Sequence, residues 1–366
     1  MSTKKSKFSQ KDRYYMNLAI NLAKNHNGLT GLNPSVGCVI VKNDKILSFG
    51  TTSINGRPHA ETIALNKNKK ENIGSTVYLT LEPCSHYGKT PPCTKALIEA
   101  KVKKVIYSIE DKDVRSFNKS KKILNKNKIL TKSGLSSKEV KNIYKSYNYI
   151  KKNKFPYVIG KLACSSNLNI LRNKTFITNE HSRKVSHLLR YRNQGILTSY
   201  RTINNDNPKL TCRINGLEKF SPNRIVIDRD LKINLNSYII KHPVKPKTII
   251  FHNSKNYKKI NNLKKKGAQL IYFNVDSDNY FDLKKILKKI YELGIHTILV
   301  ESGKKTIYKM ISKNLFNEFF LFKSNIILNN KDKINVFDIK RKLNYKFKNK
   351  NFVNTYLDKD RVIHYY

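Results

Sequence analysis

Pro58-His59-Ala60-Glu61, then Glu82-Pro83-Cys84-Ser85-His86-Tyr87-Gly88-Lys89-Thr90-Pro91-Pro92-Cys93: these two stretches decide how the rest of the chain reads. One His and two Cys supply three ligands for a tetrahedral zinc and leave the fourth position open to water, as in a catalytic rather than a closed structural centre. The ligands are therefore read as His59, Cys84 and Cys93, with Glu61 free for proton work. His59 and Glu61 are two apart and do not share a helix face. They converge only on something lying off a helix start, and Pro58 suits the opening of such a helix. Cys84 and Cys93 are nine apart, and Gly88, Pro91 and Pro92 break any continuous helix between them, so the chain loops back. A helix over 94–100 is expected, with Cys93 at its first turn.

His-x-Glu followed by Pro-Cys and a further Cys is the signature of zinc-dependent base deaminases, in which the Glu is general acid/base and not a ligand. Here eight residues separate the cysteines in place of the usual two. Together with Asn33-Pro34-Ser35-Val36-Gly37-Cys38-Val39-Ile40-Val41, the run from Leu81 to Cys93 closely resembles the deaminase half of the bifunctional riboflavin-biosynthesis deaminase/reductases. The resemblance implies a cytidine-deaminase-like α/β/α sandwich, Glu61 as catalytic acid/base, and Asn33 and His86 beside a phosphorylated pyrimidine, a diaminopyrimidinone ribosyl phosphate.

At 366 residues the chain has room for about two domains. Its apolar runs are short and lie between lysines, so no membrane span is expected. The basic start, Met1 to Lys7, lacks an apolar core, so no secretory leader is expected either. Five cysteines at irregular spacing argue for free thiols and metal ligands in a reducing, cytoplasmic setting. A formal charge of +48 invites a nucleic-acid reading. The lysines are spread through every segment, however, together with heavy use of Asn and Ile, as in a coding sequence biased toward A and T. Non-specific adhesion to polyanions is expected, and a specific nucleic-acid partner is not.

Tyr15, Leu18, Ala19, Leu22 and Ala23 recur at helical spacing and predict a helix over 12–27. Val36 to Val41 and Lys45 to Gly50 read as a hairpin about Lys42-Asn43-Asp44. A helix from His59 to about Asn66, a strand over 76–81, the Cys93 helix, a strand over 105–109 and a helical stretch over 138–154 complete the first half. Such an order suits an α/β sandwich with its site at strand ends. The polar run Lys151-Lys152-Asn153-Lys154 marks the boundary between residues 1–153 and 154–366. Strand-like runs then start at Tyr157, Gly195, Arg224, Thr248, Gln269 and Thr297, and alternate with helical stretches near 178–192, 282–292 and 304–313. The chain closes on β-rich runs over 319–328 and 352–366. This alternation implies a mainly parallel sheet with an antiparallel edge.

Lys161-Leu162-Ala163-Cys164-Ser165, Phe176-Ile177-Thr178-Asn179, Arg190, Thr202, Asn205 to Thr211, Arg213, Arg224 to Asp228 and Val300-Glu301-Ser302-Gly303 are similar to the reductase half of the same family. This resemblance implies a dihydrofolate-reductase-like α/β domain that uses NADPH. It places Lys174, Arg190, Leu210, Arg213 and Glu301 on substrate, and Ala163, Phe176, Thr202, Asp206, Gly303, Lys304, Lys305 and Thr306 on the cofactor. The sequence departs from the family at Phe176, where the family has Trp, and in three further places. Residues 110–122 lack the Asp-Pro-Asn start and the glycine-rich turn, Ser166-Asn167-Leu168 replaces a pair ending Asp-Gly, and the turn after Glu301 keeps only Gly303. A helix start after that turn still offers N–H groups to a pyrophosphate.

Four other readings stay open. The zinc is structural, with His86 as fourth ligand; the reductase half is lost; the chain is a nucleic-acid base deaminase with a basic RNA-binding domain; or it is a polyanion-binding zinc module without catalysis. Cys38 reads as core, and Cys164 and Cys212 are given no role. Deaminase folds commonly pair, so a homo-oligomer is expected.

Overall fold

The structure is a computed structural model and describes residues 7–171, 176–243, 246–329 and 333–366. Contacts divide the chain into two compact units, Met1–Lys154 and Phe155–Tyr366.

The first unit opens on α1 (Gln10–Asn25). Its start is fixed by a reciprocal cap in which Ser9 Oγ accepts from the Asp12 N–H and the Asp12 carboxylate accepts from the Ser9 N–H. Strands β1 (Gly37–Lys42) and β2 (Lys45–Thr51) form the expected hairpin, with Asn43 and Asp44 at φ 49° and 60°, the positive pair that a two-residue turn of matching twist requires. Next come α2 (Ala60–Lys67), β3 (Thr76–Leu81), α3 (Cys93–Glu99), β4 (Lys104–Ile109), α4 (Lys119–Lys126), β5 (Leu130–Ser133), α5 (Ser137–Ile143) and α6 (Lys145–Asn153). The single helix expected over 138–154 is thus two, broken at Tyr144, whose buried hydroxyl bonds to Thr80 and to the Ser35 carbonyl. The five-stranded sheet runs β2-β1-β3-β4-β5, antiparallel at the hairpin and parallel from β3 to β5.

Two glycines show that this sheet is covered on both faces. A Cβ on Gly37 would lie 1.9 Å from the Ala19 carbonyl oxygen of α1, and one on Gly50 would lie 2.3 Å from the Ala60 carbonyl oxygen of α2. Gly50 is opposite Cys38, so it shares a face with Cys38 and not with Gly37. Helices α1 and α2 therefore press directly on opposite faces, and Gly50 lets the start of α2 reach the sheet.

The second unit contains β6 (Tyr157–Cys164), β7 (Asn169–Leu171), α7 (Glu180–Tyr191), β8 (Gly195–Ser199), α8 (Tyr200–Asp206), β9 (Asn223–Ile227), α9 (Tyr238–Lys241), β10 (Thr248–His252) and α10 (Tyr257–Lys265). It continues with β11 (Gln269–Tyr272), α11 (Leu283–Glu292), β12 (Thr297–Glu301), α12 (Lys304–Ser312), β13 (Glu318–Lys323), β14 (Lys333–Asn335), α13 (Phe337–Lys346), β15 (Lys350–Phe352) and β16 (Arg361–Tyr365). Nine strands order as β11-β10-β9-β8-β12-β6-β13-β16-β15. The first seven are parallel, and β16 and β15 form the antiparallel edge. Alternate residues feed separate cores: Ile225, Ile249, Phe251, Ile298 and Val300 join one, whereas Val226, Ile250 and Leu299 join the other. Both faces are buried, which is why these strands read as continuous apolar runs. The β-rich reading of 352–366 narrows to β16 and the end of β15, with a loop between. The α/β class of both halves and the mainly parallel second sheet are as expected.

Candidate active sites

Strand β3 ends at Leu81 and passes directly into Glu82-Pro83-Cys84, while His59 caps the start of α2 and Cys93 opens α3. Pro58 thus stands one residue outside the cap and not at the first helical position. His59 Nδ1 lies 3.3 Å from Cys93 Sγ and 3.7 Å from Cys84 Sγ, and the three ligand atoms lie within 4.8 Å of one another. A tetrahedral ion with Zn–N of about 2.05 Å and Zn–S of about 2.3 Å sets N···S separations of about 3.6 Å, so these donors fit zinc as they stand. Among the described residues no fourth His, Cys, Asp or Glu joins the group. His86, the fourth ligand of a structural reading, bonds instead through Nδ1 to Ser116 Oγ at 2.8 Å.

The electrostatics suit metal and proton chemistry. The Cys93 thiol first, then His59 and the Cys93 backbone N–H, hold Cys84 down to about 4 against the cost of burial, so it is a ready thiolate. Its hydrogen bond to Cys84 raises His59. Burial, followed by the Cys84 charge, pushes the Glu61 carboxyl above its ordinary value. A carboxyl raised in this way takes up a proton more readily than an ordinary one and is suited to pass it on. Arg57 donates to Thr90 Oγ1 and so ties the His59 segment to the Cys84–Cys93 loop. Asn33 donates Nδ2 to the Gly56 carbonyl at 2.9 Å, which leaves its Oδ1 as acceptor.

Glu82 has a structural task that its place in the motif did not reveal. Its buried carboxylate accepts the N–H groups of Asp111, Asn118 and Ser120, each at 3.2 Å. The Asp111 carboxylate in turn accepts from the Asp113 N–H and the Tyr147 hydroxyl. The segment that departs from the family's glycine-rich turn is therefore held by carboxylates, and it delivers Ser116 to His86.

In the second unit a cavity of about 500 Å³ opens at the ends of β6 and β12, walled by residues of α7 and α8. Ala163, Phe176, Thr202, Asp206 and Gly303, expected on the cofactor, line it, as do Arg190, Leu210, Arg213 and Glu301, expected on substrate. Lys174 lies outside the described residues. Lys304, Lys305 and Thr306 follow in the first turn of α12 and are not part of the lining; Lys304 pairs with Asp338 at 3.0 Å, and Lys305 Nζ stands 5.7 Å from the Tyr280 ring. Among the described residues Ser302 Oγ is buried in the lining without a partner, and no side chain caps α12 at Gly303. An orphan hydroxyl beside free helix-start N–H groups fits a cofactor that carries a pyrophosphate.

Arg190 is held by partners within the second unit. Its Nε and Nη2 clamp both Glu301 oxygens at 2.8 and 2.9 Å, and Nη1 donates to the Thr211 carbonyl. Burial raises Glu301, but Arg190 and Lys161 outweigh it and leave the carboxyl at about 2. Lys161 Nζ is 3.9 Å from Glu301 Oε2, and burial lowers its pKa. Leu210 sits at φ 54°, a conformation that costs a leucine roughly 1–2 kcal/mol. Four lining residues stand outside the motif stretches that the sequence reading named: Ile170, Arg183, Ser186 and His187. His187 donates Nδ1–H to the Thr211 carbonyl, and burial, then Arg190 and Arg213, push it down to about 4, so it is neutral at physiological pH. Only its place three residues before Arg190 on one helix face could have flagged it.

A family profile described as "Cytidine and deoxycytidylate deaminase zinc-binding region" matches residues 9–109, and one described as "RibD C-terminal domain" matches residues 167–355. The chain is 34% identical over 320 residues to the riboflavin biosynthesis protein RibD of Aquifex aeolicus, covering 85% of this chain and 86% of that one. A solved Thermotoga maritima structure, described as a diaminohydroxyphosphoribosylaminopyrimidine deaminase/5-amino-6-(5-phosphoribosylamino)uracil reductase, is 27% identical with a TM-score of 0.79, covering 97% of this chain and 98% of that one. Acinetobacter baumannii RibD shares the fold with a TM-score of 0.81 at 24% identity, over 97% of this chain and 98% of that one.

Proposed function

The chain belongs to the RibD family of bifunctional riboflavin-biosynthesis deaminase/reductases, and from that premise we propose how its own residues divide the work: residues 1–153 deaminate and residues 154–366 reduce. Zinc and NADPH are its cofactors. The substrate proposed is the diaminopyrimidinone ribosyl phosphate of the deaminase/reductase name. What carries the first half of the proposal is the three-donor group at zinc spacing with the buried Glu61 beside it.

His59, Cys84 and Cys93 hold the metal, which when bound supplies Lewis acidity. Glu61 takes one proton from the attacking water and passes it to the ring nitrogen, then carries the proton of the new hydroxyl to the amino group, which leaves as ammonia, work worth about a hundred- to ten-thousandfold in rate. Asn33 orients the pyrimidine edge through its free Oδ1, and His86 contacts the substrate beside it. In the second unit Ala163, Phe176, Thr202, Asp206 and the Gly303–Thr306 helix start seat the nicotinamide cofactor, which provides the hydride. Arg213 and Leu210 hold the substrate, with Lys174 as a further contact, and Arg190 fixes Glu301 toward it. The cationic lining from Lys161, Arg183, Lys209 and Arg213 suits a phosphorylated sugar.

Among the described residues no helix is long and apolar enough to cross a membrane, and all five cysteines are free. The proposed setting is a cytoplasmic homo-oligomer that sticks to polyanions only non-specifically. The test is ammonia release by zinc-loaded protein from the pyrimidine substrate, followed by NADPH addition. Both signals are expected in sequence; zinc-loaded protein that releases no ammonia overturns the assignment of the first unit, and ammonia without NADPH oxidation overturns that of the second.

A further inference from the structure

We propose that Ser116 is a positioning residue of the deaminase site, holding His86 in the tautomer with its proton on Nε2 so that the ring offers a single N–H donor to an acceptor oxygen of the substrate. The inference rests on the reading of His86 as a substrate contact.

Ser116 is fully buried, and its Oγ lies 2.8 Å from His86 Nδ1. The same oxygen accepts the Ser85 N–H at 3.3 Å. These are its side-chain partners among the described residues, and they fix the direction of the bond. If His86 carried its proton on Nδ1, Ser116 Oγ would receive two N–H donors and its own hydroxyl hydrogen would be buried without an acceptor. If Ser116 donates, every group is satisfied: Ser85 N–H to Oγ, O–H to Nδ1, and Nε2–H left free. His86 Nε2 has no protein partner among the described residues, so the donor is available to a ligand.

Ser116 owes its place to the carboxylate-held segment. Glu82 grips Asp111, Asn118 and Ser120 around it, the Asp113 carboxylate binds Arg115 through both Nε and Nη2, and the Asp113 carbonyl accepts the Ser116 N–H at 2.9 Å. Glu82 also directly precedes Pro83-Cys84, so the frame that orients His86 is continuous with the strand end that delivers a metal ligand. A rigid oxygen on one ring nitrogen sets the role of the other. In this chain the segment without the glycine-rich turn supplies that oxygen.

Nitrogen-resolved NMR of histidine-labelled, zinc-loaded enzyme at mildly alkaline pH reads the tautomer, with the His86 signal identified by its loss in His86→Gln. The parent is expected to show Nε2 protonated, and Ser116→Ala a mixture. Removing this one hydrogen bond should raise KM for the pyrimidine substrate about tenfold with kcat nearly unchanged, and Ser116→Thr, which keeps the hydroxyl, should restore both. An Nδ1-protonated ring in the parent, or a Ser116→Ala enzyme with parental tautomer and KM, overturns the proposal. If instead His86→Gln keeps the parental KM, the reading of His86 as a substrate contact fails, and the tautomer still decides separately whether Ser116 orients the ring.

Discussion

The two units build their sites in opposite ways. The candidate deaminase centre draws its three metal donors from two short segments, at the start of α2 and around the loop from Cys84 to Cys93, each set by a helix cap or a strand end. The reductase cavity gathers residues between Lys161 and Gly303 from strand ends, helices and loops, and its central contact joins Arg190 to Glu301 across 111 positions. The first site is a motif that the fold closes. The second is a geometry that the fold creates.

The strongest test of this contrast is to remove the metal. Cys84→Ser or chelation should abolish ammonia release, while NADPH oxidation on supplied deaminated substrate stays at the parental rate; a joint loss would break the separation. Arg190→Ala should come next. It removes both guanidinium hydrogen bonds from the buried Glu301 carboxylate and leaves it only Lys161 at 3.9 Å among the described residues, at a cost of roughly 3 kcal/mol. Denaturant unfolding should show that loss in the second unit, and reduction should fall while deamination persists. Gly50→Ala should cost less, about 1–3 kcal/mol by overpacking. Because the added methyl meets the Ala60 carbonyl at the start of α2, zinc affinity measured by competition should weaken with it.

The smallest expected effect is a pH limb from the second unit. His187 is held at about 4, below its ordinary 6.5, so the unfolded chain protonates it first as pH falls. Its contribution to stability is whole above about pH 6.5 and declines toward pH 4. Glu301, held at about 2, adds stability that is complete above the ordinary carboxylate range and fades as pH falls through about 2. Urea midpoints across this range should show the upper limb flatten in His187→Gln; an unchanged limb would place the titration elsewhere.

The same contrast explains what could be read in advance. His59, Glu61, Cys84 and Cys93 were legible because their chemistry is uncommon and the prolines and glycine between them leave few conformations. Strands such as Thr76–Leu81 were legible because their apolar residues are bounded by polar ones. Helices such as Lys119–Lys126 and Phe337–Lys346 went unread because each buries only two residues, Ser120 and Leu124 in the first and Ile339 and Leu343 in the second, too few for a period to stand out among the lysines. Glu82 looked like a motif residue, yet its role is to hold three N–H groups that lie 29 to 38 positions away. Arg190 was read only as a substrate contact, because a sequence shows a charge and not its partner. Ser116 carried no signal, since one serine among many becomes informative only when His86 is seen beside it.

The most direct test of two independent sites on one chain is Glu61→Gln, a change that keeps all three metal ligands. The account predicts a protein that still binds one zinc and oxidises NADPH at the parental rate when given deaminated substrate, while ammonia release falls about a hundredfold or more. A variant that releases ammonia at the parental rate, or that loses both activities while folded and zinc-loaded, would contradict it.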